Sequence, residues 1–77
     1  MKAVVFSTTS CVWCDRVTSM LKDAKIEVDK IDITESQDNF KQMKAHAGKG
    51  VNTVPQVVID GEFVGGYTEV ERFINHL

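Results

Sequence analysis

The chain has 77 residues, a length that corresponds to a single domain, residues 1–77. It carries 9 basic and 11 acidic residues, so its formal net charge of -2 lacks the positive excess of a nucleic-acid-binding protein. No run approaches the roughly 18 apolar residues of a membrane-spanning helix. The apolar stretch after Met1-Lys2 is also too short for a signal peptide. We therefore expect a cytoplasmic protein that binds neither nucleic acid nor membrane.

The first third of the chain changes from a strand pattern to a helical pattern. Residues 2–6 form a nearly continuous apolar run, which is typical of a strand buried on both faces. Residues 11–25 repeat apolar side chains at helical spacing, and Thr9 or Ser10 is the expected N-cap. The apolar stripe of this helix contains Cys14, Val17, Met20, Leu21 and Ala24. Residues 26–33 are rich in β-branched side chains and predict a second strand.

A second helix is predicted after this strand. Thr34 and Gln37 match a capping box, in which each side chain would bond the other residue's backbone N–H. The buried face of the helix would carry Phe40, Met43 and Ala47. Gly48 follows and can end the helix because glycine tolerates a positive φ.

A hairpin and a final helix complete the chain. Residues 56–59 and 62–64 read as strands, and Asp60-Gly61 between them is a strong signal for a tight hairpin. Thr68 and Glu71 match a second capping box at the start of the last helix. The inner face of that helix would carry Val70, Phe73, Ile74 and Leu77.

The predicted order is β-α-β-α-β-β-α. The first two strands are joined through a helix, so they should be parallel with a right-handed crossover, whereas the last two strands should form an antiparallel hairpin. The predicted fold class is therefore α/β, with a four-stranded mixed sheet flanked by three helices.

Cys11 and Cys14 are the only cysteines and allow four chemistries. A structural zinc site needs about four ligands, and only His46 and His76 could complete it, without the close spacing such sites show. Haem attachment needs a histidine where Asp15 stands. A structural disulfide would close too short a loop to stabilise the fold much. A redox-active dithiol at a strand-to-helix junction is the favoured interpretation, and no metal site is expected.

The two cysteines should differ in reactivity. Cys11 falls at the start of the helix, where free backbone N–H groups and the helix dipole should lower its pKa and favour the nucleophilic thiolate. Cys14 lies one turn further on, on the apolar stripe, and should be shielded. One accessible attacking sulfur and one sheltered resolving sulfur is the arrangement that thiol–disulfide exchange requires.

Three motifs, taken in chain order, resemble the glutaredoxin family. They are Cys11-Val12-Trp13-Cys14 after the first strand, Thr53-Val54-Pro55 before the third strand, and Gly65-Gly66-Tyr67 before the last helix. The resemblance implies a thioredoxin-like fold with a cis Val54–Pro55 bond. Val12, where the family usually has proline, is closest to phage-type glutaredoxins and to the small redoxins that serve ribonucleotide reductase. Thr8 stands where a basic residue is common, and Lys49 could supply that charge.

The resemblance also implies a glutathione site. The backbone of Val54, between Thr53 and Pro55, is expected to pair with the cysteinyl backbone of the substrate. The γ-glutamyl carboxylate is expected at the backbone N–H groups of Thr68 and Glu69. The remaining implied contacts are Trp13, Gln37, Gly66 and Tyr67, with Gln37 placed at the glycyl carboxylate.

The implied activity is that of a glutathione-dependent thiol–disulfide oxidoreductase. Cys11 would attack a protein disulfide or a glutathione-mixed disulfide, and Cys14 would resolve the intermediate. Glutathione would be a co-substrate, no cofactor would be tightly bound, and ribonucleotide reductase is a candidate acceptor for this monomer. Three alternatives remain open: a redoxin that depends on thioredoxin reductase, an iron–sulfur cluster carrier that uses Cys11 and glutathione from two chains, and a non-catalytic interaction module.

Overall fold

The strands of this protein form a single mixed sheet with helices on both faces. The computed structural model describes residues 1–48 and 50–77, so the charge proposed for Lys49 lies outside the described residues. The elements are β1 (Lys2–Ser7), α1 (Val12–Asp23), β2 (Glu27–Asp32), α2 (Gln37–Ala47), β3 (Gln56–Ile59), β4 (Glu62–Gly65) and α3 (Tyr67–Asn75). The predicted element order and fold class are confirmed.

The sheet has the strand order β2-β1-β3-β4. β1 pairs parallel with β2, as the intervening helix predicts, and antiparallel with β3. The β3–β4 hairpin is antiparallel. Its turn holds Asp60 at φ 51° and Gly61 at φ 83°, two successive positive values that a tight hairpin turn requires. Within the described residues, no helix is long and apolar enough to cross a membrane.

The central strands are buried on both faces, because successive strand residues point to opposite sides of the sheet. On one side, Val5 and Val57 belong to a buried cluster with residues of α1 and α3; that cluster is Ala3, Val5, Val17, Leu21, Ile26, Val57, Ile59 and Val70. On the other side, Phe6 and Val58 pack with Met43 of α2. The continuous apolar run of β1 therefore reflects burial between two helical layers.

α1 begins later than its polar flank predicts. The expected N-cap at Thr9 or Ser10 is wrong, because both residues lie in a turn ahead of the helix. Cys11 is the N-cap, and its sulfur accepts a hydrogen bond from the Cys14 backbone N–H at 3.1 Å. The reactive thiol position itself thus meets a backbone donor that the helix leaves free.

The end of α1 is closed by two backbone hydrogen bonds. The Lys25 N–H donates to the Lys22 carbonyl at 2.9 Å, and the Ile26 N–H donates to the Leu21 carbonyl at 3.0 Å. This pair of bonds forms a Schellman motif, which requires a left-handed residue just after the helix. Lys25 occupies that position with φ 62°, although glycine would fit it better.

The capping box predicted for α2 is wrong. Ser36 is the N-cap, and its Oγ accepts a hydrogen bond from the Asn39 backbone N–H at 3.1 Å. Thr34 instead bonds to the end of β2, where both its backbone N–H and its hydroxyl donate to the Asp32 carboxylate. The helix therefore starts at Gln37, and Gly48 follows it with φ 105°.

α3 begins two residues earlier than predicted. Its N-cap is Gly66, and the Glu69 Oε1 accepts a hydrogen bond from the Gly66 N–H at 3.3 Å, so the predicted pairing of Thr68 with Glu71 is wrong. Leu77, predicted on the inner face of this helix, lies beyond its last residue and is 64% exposed. The first turn of α3 therefore lies next to the loop that contains Val54 and Pro55.

Candidate active site

The two cysteines lie at the junction of β1 and α1. Their sulfur atoms are joined in a disulfide, with the Cα atoms 5.2 Å apart. Cys14 has no solvent exposure, whereas Cys11 is half-buried. A thiolate arriving from solvent can therefore reach only the Cys11 sulfur, and Cys14 is positioned to act on Cys11 from inside.

The local electrostatics favour a negative charge on Cys11. The Cys14 N–H already points at the Cys11 sulfur, and the first turn of a helix carries the positive end of the dipole. Asp15 is the nearest acidic residue in sequence, and its Oδ1 lies 2.8 Å from the Lys30 Nζ. Lys30 therefore offsets the carboxylate that would otherwise oppose a thiolate, although solvent screens this exposed pair.

Two aromatic rings and a guanidinium group border the dithiol. Trp13, 52% exposed, lies with its ring centroid 5.1 Å from that of Tyr67 in an edge-to-face arrangement. The Arg16 Cζ lies 4.9 Å from the centroid of the Trp13 ring. Trp13 is thus at the exposed rim, as its place between the two cysteines predicts, and it connects the Cys11–Cys14 loop to the start of α3.

The proline loop forms the next part of the site. The Val54–Pro55 bond is cis, as the resemblance implies. The Gln56 amide donates to the Thr53 carbonyl at 3.1 Å and to its hydroxyl at 3.3 Å, which ties the loop to β3. A Cβ atom placed on Gly66 would lie only 3.4 Å from the Pro55 carbonyl oxygen. The first turn of α3 therefore packs closely against the cis-proline segment.

Thr68 and Glu69, both exposed, lie in this first turn of α3. The Glu69 carboxylate already accepts the Gly66 N–H, so one donor of the turn is satisfied within the protein. The backbone N–H groups of Thr68 and Glu69 have no partner inside the helix, as at any helix start. They remain suited to hold an anionic group of a ligand.

Gln37 stands apart from the other predicted contacts. It is exposed at the start of α2 and lines a separate groove of about 540 Å³ with Ile33, Thr34, Glu35, Ser36, Phe40 and Lys41. No residue of the cysteine loop or of the proline loop lines that groove. Its contact with the glycyl carboxylate stays a prediction. Among the described residues, no group of three or more His, Cys, Asp or Glu side chains could hold a metal ion.

Two contributors to the site were not identified from the sequence. Arg16 follows Trp13 by three residues, and this spacing places two side chains on one helix face. Gln56 is a polar side chain that is only 8% exposed inside an apolar strand, and such a residue needs a specific hydrogen-bond partner. The signal for Arg16 was present in the sequence, whereas the partner of Gln56 depends on the cis-proline turn.

These features define a class of protein: a thioredoxin-fold dithiol–disulfide oxidoreductase whose attacking sulfur caps a helix. Comparison with known proteins gives the family. The family model described as Glutaredoxin matches residues 3–64, so the chain belongs to the glutaredoxin family. Glutaredoxin 1 of Escherichia coli (strain K12) is 29% identical over 79 residues, covering 96% of this chain and 93% of that protein.

Solved structures show the same fold. The structure of reduced Escherichia coli glutaredoxin has a TM-score of 0.83 at 26% identity, covering 99% of this chain and 95% of that one. The buckwheat glutaredoxin–glutathione complex has a TM-score of 0.78 at 27% identity, covering 96% of this chain and 68% of that one. The Escherichia coli NrdH-redoxin, described as a glutaredoxin-like protein with a thioredoxin-like activity profile, has a TM-score of 0.76 at 17% identity, covering 100% and 95%.

Proposed function

We propose that glutathione is the reductant of the Cys11–Cys14 disulfide. The observation that carries the proposal is the chain of contacts from Trp13 to Tyr67 and from Gly66 to Pro55. The accessible sulfur, the cis-proline backbone and the free N–H groups of α3 belong to the segments that these contacts join. A cysteinyl peptide with a free carboxylate could use all three at once.

Reduction of a substrate disulfide takes two thiol–disulfide exchange steps. The Cys11 thiolate attacks a substrate disulfide, forms a mixed disulfide and releases the first substrate thiolate, which takes up a proton. Cys14 loses its proton and attacks the Cys11 sulfur, which releases the second substrate thiolate and leaves the Cys11–Cys14 disulfide. The substrate has gained two electrons and two protons.

Two glutathione molecules return the protein to the dithiol form. The first glutathione thiolate attacks Cys11 and releases Cys14, and the second attacks the glutathionyl sulfur and releases Cys11 with glutathione disulfide. In this proposal the backbone of Val54, between Thr53 and Pro55, pairs with the cysteinyl unit. Thr68 and Glu69 hold the γ-glutamyl carboxylate, and Gln37 contacts the glycyl carboxylate. Trp13, Gly66 and Tyr67 form the walls.

Support for glutathione comes from family membership and from the buckwheat relative, whose structure is a glutathione complex. We also propose that the protein acts as a cytoplasmic monomer. Size-exclusion chromatography of the purified protein tests the monomer. Fractionation of the source cells tests the cytoplasmic location.

The test oxidises the protein and offers it two reducing systems. One contains glutathione, glutathione reductase and NADPH, and the other contains thioredoxin reductase and NADPH. NADPH consumption and free thiols are followed, with Cys11→Ser as the inactive control. Reduction by the glutathione system at the higher rate is expected. Reduction only by thioredoxin reductase would reject glutathione as the reductant.

We also propose that ribonucleotide reductase is the protein that accepts electrons from the reduced Cys11–Cys14 pair. Val12 is 65% exposed beside the reactive sulfur, where it can touch a protein partner, and the motif with valine resembles that of small ribonucleotide-reductase redoxins. A reconstituted assay with the reduced protein as sole electron donor should yield deoxyribonucleotides. Absence of product in an assay that a known donor drives would reject this acceptor.

A further inference from the structure

A groove between α1 and α3 leads away from the dithiol, and beyond Val12 and Tyr67 its residues have no role in the reaction described above. Its volume is about 620 Å³, and it is lined by Val12, Asp15, Arg16, Ser19, Met20, Asp23, Ala24, Tyr67 and Ile74. Val12 and Tyr67 mark its end at the active site, and Ile74 lies near the last turn of α3. Five of these nine residues are apolar, so the groove continues the apolar rim of the dithiol along the surface.

Arg16 carries the positive charge of this groove, whose lining also contains the acidic side chains of Asp15 and Asp23. Arg16 is exposed and stacks on Trp13 with its Cζ 4.9 Å from the ring centroid. The carboxylate beside it in sequence, Asp15, is already paired with Lys30. Within the part of the chain that the structure describes, Arg16 forms no ion pair. Its planar guanidinium, held by the indole ring, therefore has free N–H donors that can bind a carboxylate.

We propose that this groove binds the segment of a disulfide-containing substrate protein that flanks the attacked cysteine, and that Arg16 selects segments with a carboxylate near it. The proposal rests on the dithiol reaction, because the substrate sulfur must reach Cys11, which precedes Val12 at the active-site end of the groove. Arg16 follows Cys11 by five positions, which corresponds to about 7.5 Å along the axis of α1. An extended peptide covers that distance in about two residues, so the selected acid lies about two positions from the cysteine.

The turnover test uses matched synthetic peptides that each contain one intramolecular disulfide. The peptides differ only two positions from one cysteine, where they carry Glu, Gln or Lys. The readout is the ratio of kcat/KM for the Glu peptide to kcat/KM for the Gln peptide. Using this ratio cancels any general effect of a variant on the dithiol or on the packing of Trp13.

Arg16→Gln should lower this ratio about threefold to fivefold, as expected for one exposed ion pair, and Arg16→Lys should retain part of the preference. Arg72→Gln is the matched control, since it removes the same charge from an exposed position outside the groove. The preference should also weaken at high ionic strength. An unchanged ratio in Arg16→Gln, or an equal decrease in Arg72→Gln, would overturn the proposal.

A binding measurement separates this proposal from the reaction itself. Trp13 is the only tryptophan and contacts Arg16 and Tyr67, so its fluorescence should report binding at the active-site end of the groove. Peptide analogues with both cysteines replaced by serine are titrated into the protein. The Glu analogue should bind about threefold or more tightly than the Gln analogue, and Arg16→Gln should remove the difference. Equal binding, including no detectable binding of either analogue, would overturn the groove proposal and leave the oxidoreductase reaction untouched. A preference in binding without turnover would instead reject the reaction with these substrates.

Discussion

The two cysteines have different surroundings although they are three positions apart. Cys14 is fully buried in the first turn of α1, and its carbonyl accepts a hydrogen bond from the Thr18 hydroxyl at 2.8 Å. Cys11 is half-buried, and its sulfur accepts the Cys14 N–H at 3.1 Å. The same short segment thus stabilises charge on the outer sulfur and withholds the inner one from solvent. This asymmetry is the physical basis of the assigned order of attack.

A single side chain near the end of β2 links stability to pH. Asp32 accepts hydrogen bonds from the Thr34 hydroxyl and from the Thr34 N–H, and these bonds hold the pKa of Asp32 below its ordinary value of 3.8. A depressed carboxyl pKa stabilises the fold above the unfolded-state value, and that stabilisation disappears as the pH falls through the folded-state value. The hydrogen bonds are therefore most effective at neutral pH.

Thr34→Val removes the hydroxyl donor and keeps the backbone donor. We expect the variant to be less stable than the wild type at neutral pH, with a difference that shrinks as the pH falls from about 4 to about 2. Urea unfolding at several pH values measures this difference. Thr9→Val, a similar change at another exposed threonine, should show no such pH dependence. A Thr34→Val difference that is constant across this range would contradict the assignment.

The sequence predicts the surroundings of the reactive residues better than it predicts the caps that position them. The exposure of Trp13 and the burial of Cys14 follow from helical periodicity alone. The N-cap could not be chosen reliably because Thr9, Ser10 and Cys11 all have side chains that can accept a backbone N–H. Only the turn before α1, which depends on the whole sheet, decides among them.

At the scale of elements, the end of α1 offers a direct test of backbone strain. Lys25 holds a left-handed conformation with φ 62° that glycine adopts without a steric penalty. Lys25→Gly should therefore raise the free energy of unfolding by about 0.5–1 kcal/mol, less a part that glycine loses through its greater freedom when unfolded. Denaturant unfolding measures the change.

The matched control for this prediction is Lys22→Gly, in the last turn of the same helix, where φ is helical. That variant should lose about 1 kcal/mol, because glycine is a poor helix former. A Lys25→Gly variant that is destabilised as much as Lys22→Gly would show that the left-handed conformation is not strained. The opposite signs are the expected result.

Element boundaries show why local sequence signals fail. Thr34 and Gln37 have the correct spacing for a capping box, but Thr34 is captured by Asp32 and the cap passes to Ser36. The N-cap of α3 is Gly66 rather than Thr68, because Glu69, rather than Glu71, accepts a hydrogen bond from the N-cap backbone N–H. In both cases one hydrogen bond decides the boundary among several caps that spacing alone would allow.

At the scale of the whole molecule, α2 is held by very few buried side chains. Met43 is its only fully buried residue and packs with Phe6 and Val58 on one side of the sheet. Met43→Ala should cost about 2–5 kcal/mol, which is a large part of the stability available to a domain of this size. Thermal and urea unfolding should both show the loss.

Leu77→Ala provides the comparison, because Leu77 is 64% exposed and its truncation should change stability by less than about 0.5 kcal/mol. If Met43→Ala behaved like Leu77→Ala, α2 would not be anchored as the packing indicates.

The element order and the two-sided burial of β1 followed from hydrophobic patterns. The strand order β2-β1-β3-β4 did not, since the pairing of β1 with β3 joins segments about 50 residues apart in sequence.

In the proposed reaction Cys11 alone exchanges with glutathione, and Cys14 resolves the product. The most direct measurement is the mass of the Cys14→Ser and Cys11→Ser variants after incubation with glutathione disulfide, followed by peptide mapping. One glutathionyl adduct on Cys11 is expected in Cys14→Ser, and almost none is expected in Cys11→Ser. An adduct that forms on Cys14 as fast as on Cys11 would contradict the proposed reaction.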